Sequence, residues 1–314
     1  MSDRFDSAPD LGALDPERPL TMSSNGLRRR QLISRFTQAA QTASAALAIV
    51  VLGLVIWSVA SRGSSVLSIG FLTKDPPAYE GNNVGGIAPA IVGTALLIAI
   101  ATAIALPLGV LAALYLTEFA DRKVASVVRL ALDLLTGVPS IVIGLFVYGL
   151  LVVGKHQSGF YGSIGLSIIM LPLIARSAQE VLLLVPKGLR EAADALGMSR
   201  WRTVRGVVLP SALGGILTAT VLAVGRAAGE TAPLLLCSSL FGNDVSVNPF
   251  SKEGIASIPL YIFRSSTAAN QSGFARSWGA AFVLLVFILL TSLTARALLN
   301  RQRAGAGLSV LNLR

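Results

Sequence analysis

A chain of 314 residues that is 53% hydrophobic, 13% charged and of mean hydropathy +0.70 is too apolar for a soluble globular protein of its length. Its net charge of +10 does not indicate nucleic acid, because the cationic residues are spread over several loops instead of clustering with aromatics. One cysteine, Cys237, and one histidine, His156, exclude an intrachain disulfide, a cysteine- or histidine-built metal site and a Ser-His catalytic pair; no cofactor is expected.

Residues 1–38 begin with an Asp-, Pro-, Ser- and Gly-rich stretch and end in RRRQLISRF, which predicts a disordered basic tail. A charge-free window at 36–61 follows and predicts a first transmembrane helix over 39–60. The basic segment starts too late, and the apolar core is too long, for a cleaved signal peptide, so an uncleaved anchor is expected. Further charge-free windows cover 81–117, 134–154, 157–175, 206–225 and 277–295. A bilayer span needs about 20 apolar residues. The pattern therefore predicts an all-α integral membrane protein with six transmembrane helices.

After the turn-forming KDPPAYEGNN, the second span starts near GGIAPAIVGT and runs to about Leu116. It is longer than a bilayer needs, so it is expected to tilt, kink at Pro107 or protrude. EFADRKVASVVR reads as a charged inner loop, and LLTGVPSIVIGLFVYGLL as the third span. The short outer turn KHQSGFYG leads to a fourth span ending near LLLVPKG. GLLVVGKH matches a phosphate-binding loop as far as its lysine, but His156 stands where Ser or Thr belongs and the segment ends a membrane span, so it carries no weight. An inner loop, 187–206, precedes a fifth span over about 207–236. The outer segment 237–276 contains IASIPLYIF, a predicted short amphipathic helix at the outer mouth, before a sixth span over 277–298 and a tail at 299–314.

Alternating six spans from an inner start places 16 Lys/Arg near helix ends on one side and six on the other. By the positive-inside rule both termini are cytoplasmic.

Four ionisable residues fall inside this apolar frame. Arg226 and Glu230 stand in GRAAGETAPLLL, and Arg176 and Glu180 in IARSAQEVL. Each pair is spaced i, i+4 and is expected to share a helical face. One such charge at the centre of a span costs about 2.5–3.5 kcal/mol or more. Either the pairs are structural salt bridges between helices or they line a polar path.

The inner loop reads KGLREAADALGMSRWRTVRGVVLP. LREAADAL predicts a helix stopped by Gly197, and Ser199 is expected to cap a second short helix, giving a hairpin at the membrane face. Glu191-Ala192-Ala193, three residues, Gly197, nine residues, Val207, one residue, Leu209-Pro210 resembles the EAA signature of ABC importer permeases, with Val207 in place of isoleucine. GGIAPAIVGT, GVPSIVIGLF, LPLIARSAQEVLLLVP and GRAAGETAPLL together resemble the PstA family of phosphate-specific permeases over about residues 85–298. The GETAPLL ending is more like PstA than its partner permease PstC.

The resemblance implies a MetI-like ABC importer permease fold over 85–298 and a non-catalytic subunit that imports inorganic phosphate. It implies three kinds of partner: a second homologous permease (PstC-like), two ATP-binding subunits (PstB-like) and an extracytoplasmic phosphate-binding protein (PstS-like). Glu191, Ala192, Ala193 and Gly197 fall on the positions that couple to the ATPase subunit. On this reading Arg226, Glu230, Thr231, Arg176 and Glu180 belong to the substrate pathway: arginine stays charged when buried and presents a fork that fits phosphate oxygens. A permease for sulfate or molybdate, and a membrane scaffold for phosphate signalling, remain alternatives.

Overall fold

A computed structural model describes residues 24–77, 85–238, 245–252, 254–268 and 270–311. Every regular element among them is helical. The chain divides into two units, Met1–Trp57 and Ser58–Arg314. The first holds most of α1 (Ser24–Gly63). This helix covers residues 24–38, which the sequence pattern assigns to the tail; residues 1–23 of that tail lie outside the described residues.

The second unit runs through α2 (Ile69–Thr73), α3 (Ala88–Leu114), α4 (Arg122–Gly137), α5 (Ser140–Val147) and α6 (Gly159–Leu183). It continues with α7 (Lys187–Ala195), α8 (Arg200–Thr203), α9 (Leu209–Ala228), α10 (Ala232–Cys237), α11 (Ile258–Thr267) and α12 (Gln271–Leu311). Across the described residues, five helices are long and apolar enough to cross a membrane. A sixth crossing exists only as a bent pair, Arg122–Gly137 with Ser140–Val152, turned by 100°.

The core lies where α3 packs on α6. Leu97, Ala101 and Ala105 meet Leu166, Met170 and Ile174, and Ala223 and Ala227 of α9 close the cluster. Alanines at these positions let the backbones approach, which is how helices gain packing energy where lipid removes the hydrophobic drive. A second cluster, with Ala178 and Leu182 of α6 and Ala212 and Ile216 of α9, extends the core toward the α7–α8 end.

Helix α12 runs from Gln271 to Leu311, past the sixth span expected over 277–298 and into the expected tail 299–314. Three further elements differ from the sequence expectation, each for a local physical reason. EFADRKVASVVR is not a loop: α4 starts at Arg122 and buries Ala125 and Leu132 against Leu116 and Ala175, so its apolar stripe outweighs its charges. The third span, 134–154, is not one straight helix. Val138 is extended (ψ 129°), as the residue before a proline prefers, and Pro139 starts a new helix at the bend. The fifth span, 207–236, is likewise two pieces. Pro233 has no N–H to donate to Gly229 four residues back, and the chain breaks over Gly229–Thr231 before α10 resumes.

The two broken spans meet. Gly144 of α5 lies against α10, and a Cβ there would sit 2.8 Å from Pro233 Cα. Gln157 Nε2 donates to Leu236 O at 2.9 Å and Ser158 N to Cys237 O at 2.9 Å, tying the end of α10 to the start of α6. The short helix expected in IASIPLYIF is α11, which buries Ile258, Pro259 and Leu260. Thr94 Oγ1 of α3 accepts from Ile258 N at 2.8 Å, fixing α11 over that end of the core.

Because the obstacle at Gly144 is backbone, it cannot rotate away. Gly144→Val is expected to cost about 1–3 kcal/mol and to lower the midpoint of thermal unfolding in detergent. Gly149→Ala, where nothing lies within 4 Å, is expected to leave that midpoint unchanged.

Candidate functional site

The helix breaks border a partly open cavity of about 150 Å³. Leu135, Thr136, Val138, Pro139 and Ser140 form one wall, at the α4–α5 bend. Ile169, Pro172 and Leu173 of α6 form another, and Arg226 and Glu230 complete it. A single water needs about 10–15 Å³ on the same measure, so the space suits a small ion with some hydration.

Arg226 and Glu230 are together, but not on one continuous helix. Arg226 occupies the last turn of α9, while Glu230 follows its end, with Glu230 N donating to Ala227 O at 3.1 Å. Arg226 Nε lies 3.7 Å from Glu230 Oε1. That is an ion pair too long for a hydrogen bond. The arginine side chain is 54% exposed and the glutamate 18%. A loosely paired guanidinium beside a cavity keeps its donors available, and the carboxylate prevents an isolated charge. Thr231 is next in the chain, at the N-cap position of α10 without a side-chain capping bond, and does not line the cavity.

The pair expected in α6 is separated. Arg176 Nη2 bonds Asp133 Oδ1 of α4 at 2.8 Å. Glu180 instead borders a different space of about 400 Å³ between α6, α9 and α12, with Arg296 among its lining residues. Sequence reading missed Asp133, Thr136 and Ser140. The signal was present: Asp133 is a lone carboxylate in LALDLLTGVPS, directly before a Gly-Val-Pro break.

At the other end of α6, α7 and α8 form a hairpin. Gly197 adopts φ +71°, which only glycine takes without strain, and Met198 N closes the turn on Ala193 O at 3.1 Å. Ser199 stands at the N-cap position of α8, but its side chain makes no capping bond; its carbonyl accepts from Thr203 N at 3.0 Å. Glu191, Ala192 and Gly197 are exposed, and Ala193 is buried. Leu196 and Trp201 stand 81% and 57% exposed beside them. The exposed face of the hairpin thus mixes the apolar Leu196 and Trp201 with the charged Lys187, Glu191, Asp194, Arg200 and Arg202, a surface suited to a protein groove.

The hairpin is bolted to the bundle by Arg190. Its Nη2 and Nε bond Glu118 Oε1 at 2.9 and 3.2 Å, its Nη2 also bonds Leu182 O at 2.9 Å, and its Nη1 bonds Val185 O at 2.7 Å. Arg200 Nη1 adds a bond to Glu118 O at 3.1 Å. Glu118 sits in a π-helical turn, Tyr115–Phe119, that continues α3. One arginine therefore joins the hairpin, the end of α6 and the end of α3.

A helical membrane bundle with a charged cavity at paired helix breaks, and an exposed hairpin braced to its core, is built as a transport subunit. Residues 105–304 match the family of binding-protein-dependent transport system inner membrane components. A phosphate transport system permease protein PstA of Xylella fastidiosa is 38% identical, covering 90% of this chain and 98% of the relative. PstA 1 of Mycobacterium tuberculosis is 36% identical over 91% of this chain and 94% of the relative. The chain belongs to this inner membrane component family and, within it, to the PstA permeases.

Among solved structures, a bacterial ABC transporter involved in import of the polysaccharide alginate matches with TM-score 0.58 and 16% identity. That match covers 88% of this chain and 98% of the other. The MetNI methionine ABC transporter matches with TM-score 0.52 and 21% identity over 69% of this chain and 94% of the other. These likenesses carry the fold alone, and the fold is that of a MetI-like ABC permease. The chain is a multi-pass membrane protein of a transporter complex.

Arg190→Ala strands a partly buried carboxylate and two helix-end carbonyls. It is expected to destabilise the hairpin by about 1.5–3 kcal/mol, read as faster amide hydrogen exchange over 187–203. Arg190→Lys keeps the charge but not the fork and is expected to recover only part of the protection.

Proposed function

We propose that the chain is the permease subunit of an ATP-driven inorganic phosphate importer in a bacterial plasma membrane, forming half of the translocation pathway. The observation that carries this reading is the Arg226–Glu230 pair at the hinge cavity, in a chain of the PstA family. Phosphate enters from an extracytoplasmic phosphate-binding protein of the PstS kind, between this subunit and a second, PstC-like permease. Arg226 receives the anion through its fork. Glu230 neutralises the arginine when the site is empty and accepts a hydrogen bond from a protonated phosphate oxygen, which sulfate cannot offer at neutral pH. Thr231 stands at the same break but outside the cavity lining. Arg176 continues the path inward, whereas Glu180 faces the separate space between α6, α9 and α12 and is left out of it.

No covalent step occurs on this subunit. ATP is hydrolysed on two PstB-like subunits, which the hairpin engages through Glu191, Ala192 and Gly197, while Ala193 is buried within the subunit behind them. Small residues give close approach, Glu191 a charged anchor, and Gly197 the turn. The excess of Lys/Arg at the hairpin side supports a cytoplasmic position for that face and for both termini.

Two experiments test the assignment. Gly197→Pro demands φ near −65° where the turn has +71°, so it is expected to abolish binding-protein-stimulated ATP hydrolysis while membrane insertion continues. If stimulation survives, the hairpin is only an interfacial element. For the pathway, Arg226→Gln is expected to abolish phosphate uptake and Arg226→Lys to restore little. If the residue is only half of a salt bridge, the neutral double variant Arg226→Gln, Glu230→Gln leaves no charge unpaired and transports nearly normally. An anion ligand requires that this double variant insert normally and fail to transport.

A further inference from the structure

Four residues on the facing sides of α4 and α6 form a second polar cluster outside the cavity. Asp133 holds Arg176 at 2.8 Å. One turn away, the buried Gln179, with its amide oxygen turned toward α4, accepts from Arg129 Nε and Nη2 at 2.9 and 3.0 Å. The cluster thus holds two guanidiniums and one carboxylate: Asp133 pairs with Arg176, and Arg129 is met by a neutral amide, which leaves one positive charge in excess.

The place of this cluster is fixed by chain direction. Thr136 of α4 and Leu173 of α6 line the Arg226 cavity, and Asp133 and Arg176 each lie three residues beyond them. On α4, that step leads back toward Glu118 and its bond to Arg190; on α6, it leads forward to Leu182, whose carbonyl Arg190 also holds. The cluster therefore sits between the cavity and the hairpin, about one helical turn, or ~5 Å, from the cavity wall. Its side chains remain open: Arg176 is 39% and Asp133 50% exposed. Charged side chains within spans almost always face the bundle interior or water instead of hydrocarbon.

We propose that Arg129 and Arg176 form a second oxyanion station on the hairpin side of the Arg226 cavity, with Asp133 holding Arg176 between transport events. This rests on the phosphate-permease reading above. An anion leaving Arg226 displaces the Asp133 carboxylate from Arg176, taking over its bidentate face, and is shared with the excess charge of Arg129. Asp133 then returns as the anion departs. The carboxylate is a replaceable competitor, whereas the two guanidiniums are ligands. That asymmetry separates a station from a simple latch between helices.

The test uses the complete transporter, with its binding protein and ATPase subunits, in vesicles given labelled inorganic phosphate. Arg129→Gln and Arg176→Gln are each expected to reduce uptake at least tenfold, with subunit assembly intact. Asp133→Asn is expected to retain uptake within about threefold, and the double variant Asp133→Asn, Arg176→Gln to stay as defective as Arg176→Gln alone. A latch gives a different set: equal loss for Asp133→Asn and Arg176→Gln, and recovery in the double variant. That set overturns the station, as does full uptake by both arginine variants. If Arg176→Gln fails to assemble, Arg129→Gln against Asp133→Asn decides, and equal behaviour of the two overturns the proposal. Absence of phosphate uptake by the unmodified transporter overturns the phosphate reading itself, whereas normal uptake with unaffected variants overturns the station alone.

Discussion

An arginine cannot be neutralised, so a bundle of apolar helices that contains Arg226 must build around it. The chain does so by breaking two helices at the same level. One break falls at Val138-Pro139, where α4 turns by 100° into the next helix, and the other at Gly229–Thr231, between α9 and α10. The breaks open the cavity that gives Arg226 and Glu230 a polar setting. The same prolines remove amide donors that would otherwise need partners, and Gly144 lets the resumed helices α5 and α10 close on each other. Packing and charge thus answer to one constraint: irregular backbone at membrane depth is tolerated where it lines a cavity.

The second requirement of a coupled transporter is that motion at one face reach the cavity. The connection is made of few parts. Arg190 ties the hairpin to Glu118 and to the carbonyls that end α6. α6 also carries Ile169, Pro172 and Leu173 into the cavity wall. A displacement of the hairpin would therefore act on α6, the helix that meets the cavity and packs on α3. The half-open ion pair of Arg176 with Asp133 lies along that route, and it joins α6 to the helix that bends at the cavity.

Much of this was legible in the sequence because membranes simplify the code. Charge-free windows located the helices, and the hairpin was visible as two helical stretches around Gly197, whose left-handed φ matches its expected stop. The breaks were harder to read. Pro139 and Pro233 were visible, yet so were Pro107 and Pro172, which stand inside unbroken helices α3 and α6. A proline breaks a span only where tertiary contacts support the separated ends, and such contacts are non-local. The same limit explains the partners of Arg176. Spacing suggested Glu180, but the guanidinium reaches across to Asp133, because α4 begins in a stretch whose charges read as a loop. Arg190 gave no local sign of its role, since Glu118 is 72 residues away.

The central claim is that Arg226 and Glu230 border a water-filled anion site, and cysteine chemistry in the cavity wall tests it most directly. Cys237 is buried against Gly144 O and is the only native thiol, so a Cys237→Ser background leaves a single engineered site. Ser140→Cys, in the assembled transporter, is expected to react with a charged, membrane-impermeant thiol reagent. Phosphate is expected to slow that reaction, and sulfate at equal concentration is not. Reaction only with a lipid-soluble reagent, or a rate indifferent to phosphate, would contradict the account and leave Arg226 and Glu230 as a structural ion pair.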